Sequence, residues 1–401
     1  MVNNMKTIFA WLITLMFLGS GFAYAGDYAL SAHGNSTDGV SGRLGSYGKG
    51  NCAHCHEQHA SLGGVEPTPP PQDGAPDNYL LFTEWSNNNY NSFCMGTCHD
   101  GGAGEGDNIA TQYGKSYHHP TSGVHTFGED DPADFASRHG YCIDCHNPHV
   151  AKKIDRTVGS NLVAGGPLLK VSGVSVTNPA TAWTAPSYAF IPASTGITKE
   201  YQLCFKCHSS WTTQPTGPPA QTNIALQFNT SNPSAHPVEA GLTASSSSAL
   251  TITYMTGWQS VGTQTMYCSD CHGEDGGTVK GPHGSDRDNI LEGYWPKNAA
   301  AAFYTLGNVD SNCLCINCHV VTNTNDVHED NNHSTSKCVN CHVGLPHGIN
   351  RKRLIAYVAD LAPYDYGDAN AEITAYTWSA DPEVYAVGNC TAPGSACTSA
   401  H

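Results

Sequence analysis

The residues able to do chemistry in this 401-residue chain are its 17 cysteines and 21 histidines, and most of the cysteines share one spacing. Cys-x-x-Cys-His occurs six times, at Cys52–His56, Cys142–His146, Cys204–His208, Cys268–His272, Cys315–His319 and Cys338–His342. Residue frequencies alone would produce about 0.04 such occurrences. The spacing has a chemical reason. Two thiols (Cys52 and Cys55, Cys142 and Cys145, Cys204 and Cys207, Cys268 and Cys271, Cys315 and Cys318, Cys338 and Cys341) add to the two vinyl groups of one haem, and the adjoining histidine is held under the iron. Cys94-Met-Gly-Thr-Cys98-His99 has one extra residue between its thiols; the longer loop still reaches both vinyls and makes a seventh site. A disulfide framework has no use for a histidine after the second cysteine, and four-ligand zinc sites would leave histidines over. The expected cofactors are seven covalent c-type haems, with His56, His99, His146, His208, His272, His319 and His342 as proximal ligands.

Seven proximal ligands leave twice as many other histidines as seven sixth positions need. The simplest expectation is bis-His ligation throughout, which closes each iron to substrates and leaves it to move electrons. Multihaem nitrite reductases carry Lys for the proximal His, and no Cys-x-x-Cys-Lys occurs here, so an electron-transfer protein is expected before an enzyme. An internal repeat points to the distal ligands. Cys94–His149 reads haem site, His119-Pro120, haem site with Asp144 inside it, Pro148-His149; Cys204–His283 reads haem site, His236-Pro237, haem site with Asp270 inside it, Pro282-His283. A third copy, Cys315–His347, ends in Pro346-His347, with His328 and His333 where the His-Pro would stand. The first choices for distal ligands are His119, His149, His236, His283, His333 and His347, with His33 and His59 competing for the seventh place. His118, His125, His139 and His328 rank behind these, and His54 and His401 are left out.

The elements that must position these ligands are short. With 39% hydrophobic and 13% charged residues against 42 Gly and 23 Pro, the fold expected is irregular and loop-rich, its core built from the haems. Short helices are expected at the haem motifs, at Asn298–Leu306 and from Arg351 to Ala362; a hairpin or two within Val163–Ile197; a strand at Leu250–Tyr254; and an extended connector at Pro67–Pro71. Residues 1–25, with Lys6, an apolar run from Ile8 to Leu18 and Ala23-Tyr24-Ala25, read as a cleaved export signal too short to span a bilayer. Residues 26–401 then form a single seven-haem domain: a first haem in 26–93, dihaem units at about 94–150, 204–284 and 313–348, and a tail at 349–401. In an oxidising compartment Cys390 and Cys397 close a terminal loop, and Cys313 pairs with a terminal cysteine or competes for haem attachment. A net charge of −16 argues against nucleic acid as a partner.

On Cys52-Ala-His-Cys-His56-Glu-Gln-His59, Tyr141-Cys-Ile-Asp-Cys-His146-Asn-Pro-His149 and Cys338-Val-Asn-Cys-His342 with Pro346-His347-Gly348, the chain resembles the outer-surface multihaem c-type cytochromes of metal-reducing bacteria, especially those that polymerise into haem-lined filaments. The resemblance implies electron export through closely spaced haems, stacked and T-shaped, toward metal oxides, electrodes or partner cells, with outer-membrane electron conduits and further copies of the chain as partners. It also implies that a distal histidine near the first haem crosses a subunit boundary, a role that suits His59 or His33. The count of seven and the Cys94–Cys98 spacing depart from the best-known members. A monomeric periplasmic or surface electron carrier, with every sixth ligand internal, and a multihaem oxidoreductase with one high-spin haem are the alternatives.

Overall fold

The computed structural model describes residues 27–41, 45, 47–56, 81, 90–96, 98–102, 106–120, 140–153, 166–212, 222–241, 253–260, 262–277, 279–295, 304–305, 308–309, 312–320, 338–340, 342–357, 359–361 and 363–364. The expected export signal, Pro67–Pro71, Cys341, Cys390, Cys397 and the histidines 59, 125, 139, 328, 333 and 401 lie outside them. Within the described residues the fold is irregular and loop-rich. The longest helix is Glu200–His208 and the longest strands are Gly173–Thr177 and Ser187–Ile191. No helix among the described residues is long and apolar enough to cross a membrane.

A helical turn is found at each of the seven motifs: Cys52–His54, Tyr90–Met95, Cys142–Cys145, Glu200–His208, Cys268–Asp270, Leu314–Asn317 and Cys338–Asn340. Polar side chains fix where several begin. Asn51 Oδ1 accepts from the Ala53 amide at 2.9 Å, Asp144 Oδ2 from Tyr141 at 2.9 Å, and Asp270 Oδ2 from Tyr267 at 2.6 Å. Gln202 Oε1 takes the amides of Thr198 and Lys199 at 2.8 and 3.0 Å. Such bonds satisfy amides that a one-turn helix leaves without an internal partner. The aspartates inside two motifs are therefore caps that hold both thiols on one turn.

The expected hairpin forms as Gly173–Thr177 antiparallel to Ser187–Ile191, with Val174 opposite Phe190. The expected strand at Leu250–Tyr254 is described as Thr253–Tyr254, paired with His319–Val320. One expected helix is corrected, and another is described only near its end. Within Asn298–Leu306, Tyr304–Thr305 is a strand paired with Asn308–Val309. Among the described residues of Arg351–Ala362 only the 3-10 turn Lys352–Leu354 forms, because Arg353 and Leu354 adopt left-handed φ of 59° and 55° that no right-handed helix continues.

Apolar burial is divided among small clusters. One joins Val174, Phe205, Ala225, Phe228 and Val238; a second joins Val171 and Ile197; a third joins Val343, Ile349 and Ala356. Two antiparallel ladders of one design tie distant segments together: Tyr117–His118 with Gly284–Ser285, and Ser234–Ala235 with Gly348–Ile349. Near the N-terminus the Ala32 amide reaches the Ala151 carbonyl at 2.7 Å in the same relation. Both ladders need glycine after Pro-His. A Cβ at Gly284 would collide with the Gln112 carbonyl, and one at Gly348 with the Gln227 carbonyl. Gly348→Ala is expected to destabilise the protein by about 1–3 kcal/mol, read as a lower urea midpoint. Gly114→Ala, where a Cβ meets nothing within 4 Å, is expected to leave that midpoint in place.

Candidate haem-ligand framework

Six of the seven motif histidines face one histidine each from outside the motifs. The ring centroids are 6.0 Å apart for His56 and His149, 6.2 Å for His99 and His33, 6.0 Å for His146 and His283, 6.2 Å for His208 and His119, 6.0 Å for His272 and His347, and 6.3 Å for His319 and His236. A metal-bound imidazole nitrogen lies about 2.0–2.1 Å from the metal, so two imidazoles on opposite sides of one ion have centroids about 6.3 Å apart. Interplanar angles run from 7° to 85°, a freedom available to axial ligands that each turn about their own metal bond. Among the described residues no three His, Cys, Asp or Glu side chains gather as an ion site. Opposed pairs supply two donors each, the complement of a metal whose other four positions belong to a planar macrocycle.

Backbone carbonyls set the tautomers. The Nδ1–H of His33 donates to the Pro148 carbonyl at 2.9 Å, that of His119 to Pro282 at 2.7 Å, and that of His236 to Pro346 at 2.5 Å. On the motif side, His146 donates to Pro167 at 3.0 Å, His272 to Asn289 at 2.8 Å and His342 to Arg353 at 2.9 Å. His347 Nδ1 donates to Gln227 Oε1 at 2.8 Å. A proton fixed on Nδ1 leaves the Nε2 lone pair free to bind metal. Burial also holds His119, His146, His236 and His272 below the ordinary histidine pKa, and burial with neighbouring imidazoles pushes His283 and His347 to about 3. These rings are neutral at pH 7, as metal ligands must be.

The Asn289 and Arg353 carbonyls come from paired left-handed residues, Asn289-Ile290 and Arg353-Leu354. In both turns the second carbonyl takes the amide after the motif histidine, Ile290 from Gly273 and Leu354 from Val343, each at 2.8 Å. Backbone strain is thus spent on orienting two motif histidines.

The motifs themselves lie in chain order. The first thiols of consecutive motifs are in hydrogen-bond contact, Cys94 with Cys142, Cys204 with Cys268 and Cys315 with Cys338; these contacts and burial raise Cys94, Cys204 and Cys315. Between these couples, Cys55 acts on Cys94, Cys207 on Cys145 and Asp270 on Cys318. Cys313 is fully buried in contact with Cys315. A further group suits a macrocycle bearing carboxylates. Arg287 lies 3.6 Å over the Tyr294 ring, with Nε and Nη1 buried and without hydrogen-bond partners. Unpaired guanidinium donors of this kind suit an anionic group such as a carboxylate.

Of the histidines proposed from sequence, the structure brings together His33, His119, His149, His236, His283 and His347, each with one motif histidine. His118, ranked lower, is exposed and lies against Tyr113. His59 and His333 lie outside the described residues. Sequence reasoning missed the orienting carbonyls and Gln227; the proline repeated before His149, His283 and His347 was the one available signal for them.

No family model matches the chain, and neither a curated protein nor a solved structure is significantly similar to it. Gln227→Leu removes the acceptor for the buried His347 ring together with bonds to Thr222 and Tyr364. It is expected to cost at least about 1–3 kcal/mol, measured as a lower midpoint in chemical denaturation.

Proposed function

We propose that the chain is an exported seven-haem c-type cytochrome that carries electrons along a linear series of bis-His irons, as the repeating subunit of an extracellular filament. The observation that carries this reading is the one-to-one facing of six motif histidines by six others at the separation of axial ligands. Haem bound at each motif supplies a one-electron iron couple. The chain's residues do the rest: thiols fix each macrocycle, opposed rings fill both axial positions, and carbonyls hold the rings in register. Filled axial positions favour electron transfer over substrate turnover. The small, separate apolar clusters leave room for macrocycles to provide the larger part of the core.

The ligand pattern supports a head-to-tail polymer. Each Pro-His histidine serves the last motif of the segment before its own unit: His149 faces His56, His283 faces His146, and His347 faces His272. His33 is engaged with His99 and so leaves the competition for the intersubunit role. His59 stands three residues after His56, as His149 stands three after His146. Extending the series by one step assigns His59 to His342 of a neighbouring copy. Electrons then pass along the polymer from outer-membrane conduits to metal oxides, electrodes or partner cells.

Two variants test the reading. His283→Ala is expected to keep seven covalent haems by mass while turning one of them high-spin in absorption and EPR spectra; an unchanged low-spin spectrum overturns the pairing with His146. His59→Ala is expected to yield discrete subunits in electron micrographs where the parent forms filaments. Filaments of normal length in the variant overturn the His59 assignment; a parent that never polymerises favours the monomeric carrier with His333 as the seventh distal ligand.

A further inference from the structure

Glu239 is a buried ionisable side chain that the ligand framework does not use. It is 8% exposed. It follows the ligand segment His236-Pro237-Val238, where the Val238 amide returns to the His236 carbonyl at 2.9 Å. Asn178 Nδ2 donates to Glu239 Oε2 at 2.5 Å, and Oε1 is buried with no hydrogen bond at all. Glu239 and His236 both line a cavity of about 20 Å³ with Phe228, Asn229 and Asn232, enough space for a single water.

An ionised carboxylate with one bare, buried oxygen is costly, so the group is held neutral. Burial pushes its pKa up to about 8, against the weaker opposing pull of the Asn178 bond. Among the described residues no cation acts on it. The strand side contributes Asn178, and the loop after Ile224–Gln227 contributes Asn229, Thr230 and Asn232. The ionisable neighbours are the Tyr201 phenol from helix Glu200–His208, itself raised to about 12 by burial and by Glu239, and the His236 ring, whose Nδ1–H is committed to Pro346.

We infer that Glu239 is a proton-binding site linked to the oxidation state of the iron held between His236 and His319, taking up one proton when that iron is reduced and releasing it on oxidation. The inference rests on the haem reading above. In the balanced step, ferric iron, one electron from the neighbouring site, a Glu239 carboxylate and one solvent proton give ferrous iron and a neutral carboxylic acid. Reduction removes a positive charge nearby and so raises the Glu239 pKa further. Below the pKa of the oxidised state the group is protonated in both states and no proton moves. Between the oxidised-state and reduced-state pKa, a window in the region of pH 8, one proton accompanies the electron, and the midpoint potential falls by at most about 59 mV, a tenfold change in the equilibrium, per pH unit.

The test is a spectroelectrochemical titration of the whole haem-loaded protein between about pH 6 and pH 10, with redox-difference infrared spectra, for the parent and Glu239→Gln. In the parent, one midpoint is expected to fall as the pH passes about 8, and a carboxylic-acid carbonyl band to appear on reduction. In Glu239→Gln both effects are expected to vanish while seven haems remain attached and low-spin. A slope and band that persist in the variant, or a parent that shows neither, overturns the inference; the parent measurement decides it even where the variant does not fold. Failure of the haem reading looks different, as a protein without covalent haem or reversible reduction.

Discussion

The rest of the structure depends on one constraint: a motif histidine is faced by a histidine from a different part of the chain. His208 is faced by His119, and His319 by His236, so the first motif of a unit draws on the unit before it. His146 is faced by His283, and His272 by His347, so the second motif draws on the unit after it. The two ladders around Gly284 and Gly348 exist at these crossings, and the prolines beside them accept the Nδ1 protons of His119 and His236. One Pro-His pair thereby serves two neighbouring sites, its histidine facing one and its carbonyl orienting the ligand of the next.

This arrangement explains how so little regular structure holds a defined geometry. Apolar clusters such as that around Phe205 and Val174 fix individual helices and hairpins, but they do not join into one core. Positioning passes instead to hydrogen bonds with a fixed direction, and to left-handed turns such as Asn289-Ile290, where the Asn289 carbonyl points at the His272 ring. On the proposed reading, covalent attachment suits such a scaffold, because a thiol on a capped single turn needs no deep pocket to hold its ligand.

The parts legible in the sequence were those with a chemical spacing. The cysteine pairs with their histidines have a readable spacing, the repeat named five of the six facing histidines while His33 stood only as a competitor of His59, and the hairpin was legible from its β-branched and aromatic residues. The loop-rich character followed from glycine and proline. The crossing of ligands between units was not legible, because a repeat shows that His119 and His236 are equivalent without showing which motif each one meets. The helix expected after Arg351 failed for a related reason. Its composition permits a helix, but Arg353 and Leu354 are claimed by a tertiary task, presenting carbonyls to His342 and Val343, and that demand exceeds local propensity. Glu239 and Arg287 carry no pattern at all; only burial distinguishes them from surface charges.

The ladders also bear on how the molecule takes load. Where neighbouring units are stitched by facing histidines and two-residue antiparallel ladders, pulling one unit away must open a ladder such as Ser234–Ala235 with Gly348–Ile349 and separate the rings on either side of it. On the proposed reading those rings share an iron, so axial tension is borne by coordination bonds in series. Stiffness and the spacing of the redox sites then have the same origin, and a fibre built from this chain would lose electrical continuity at the point where it yields mechanically.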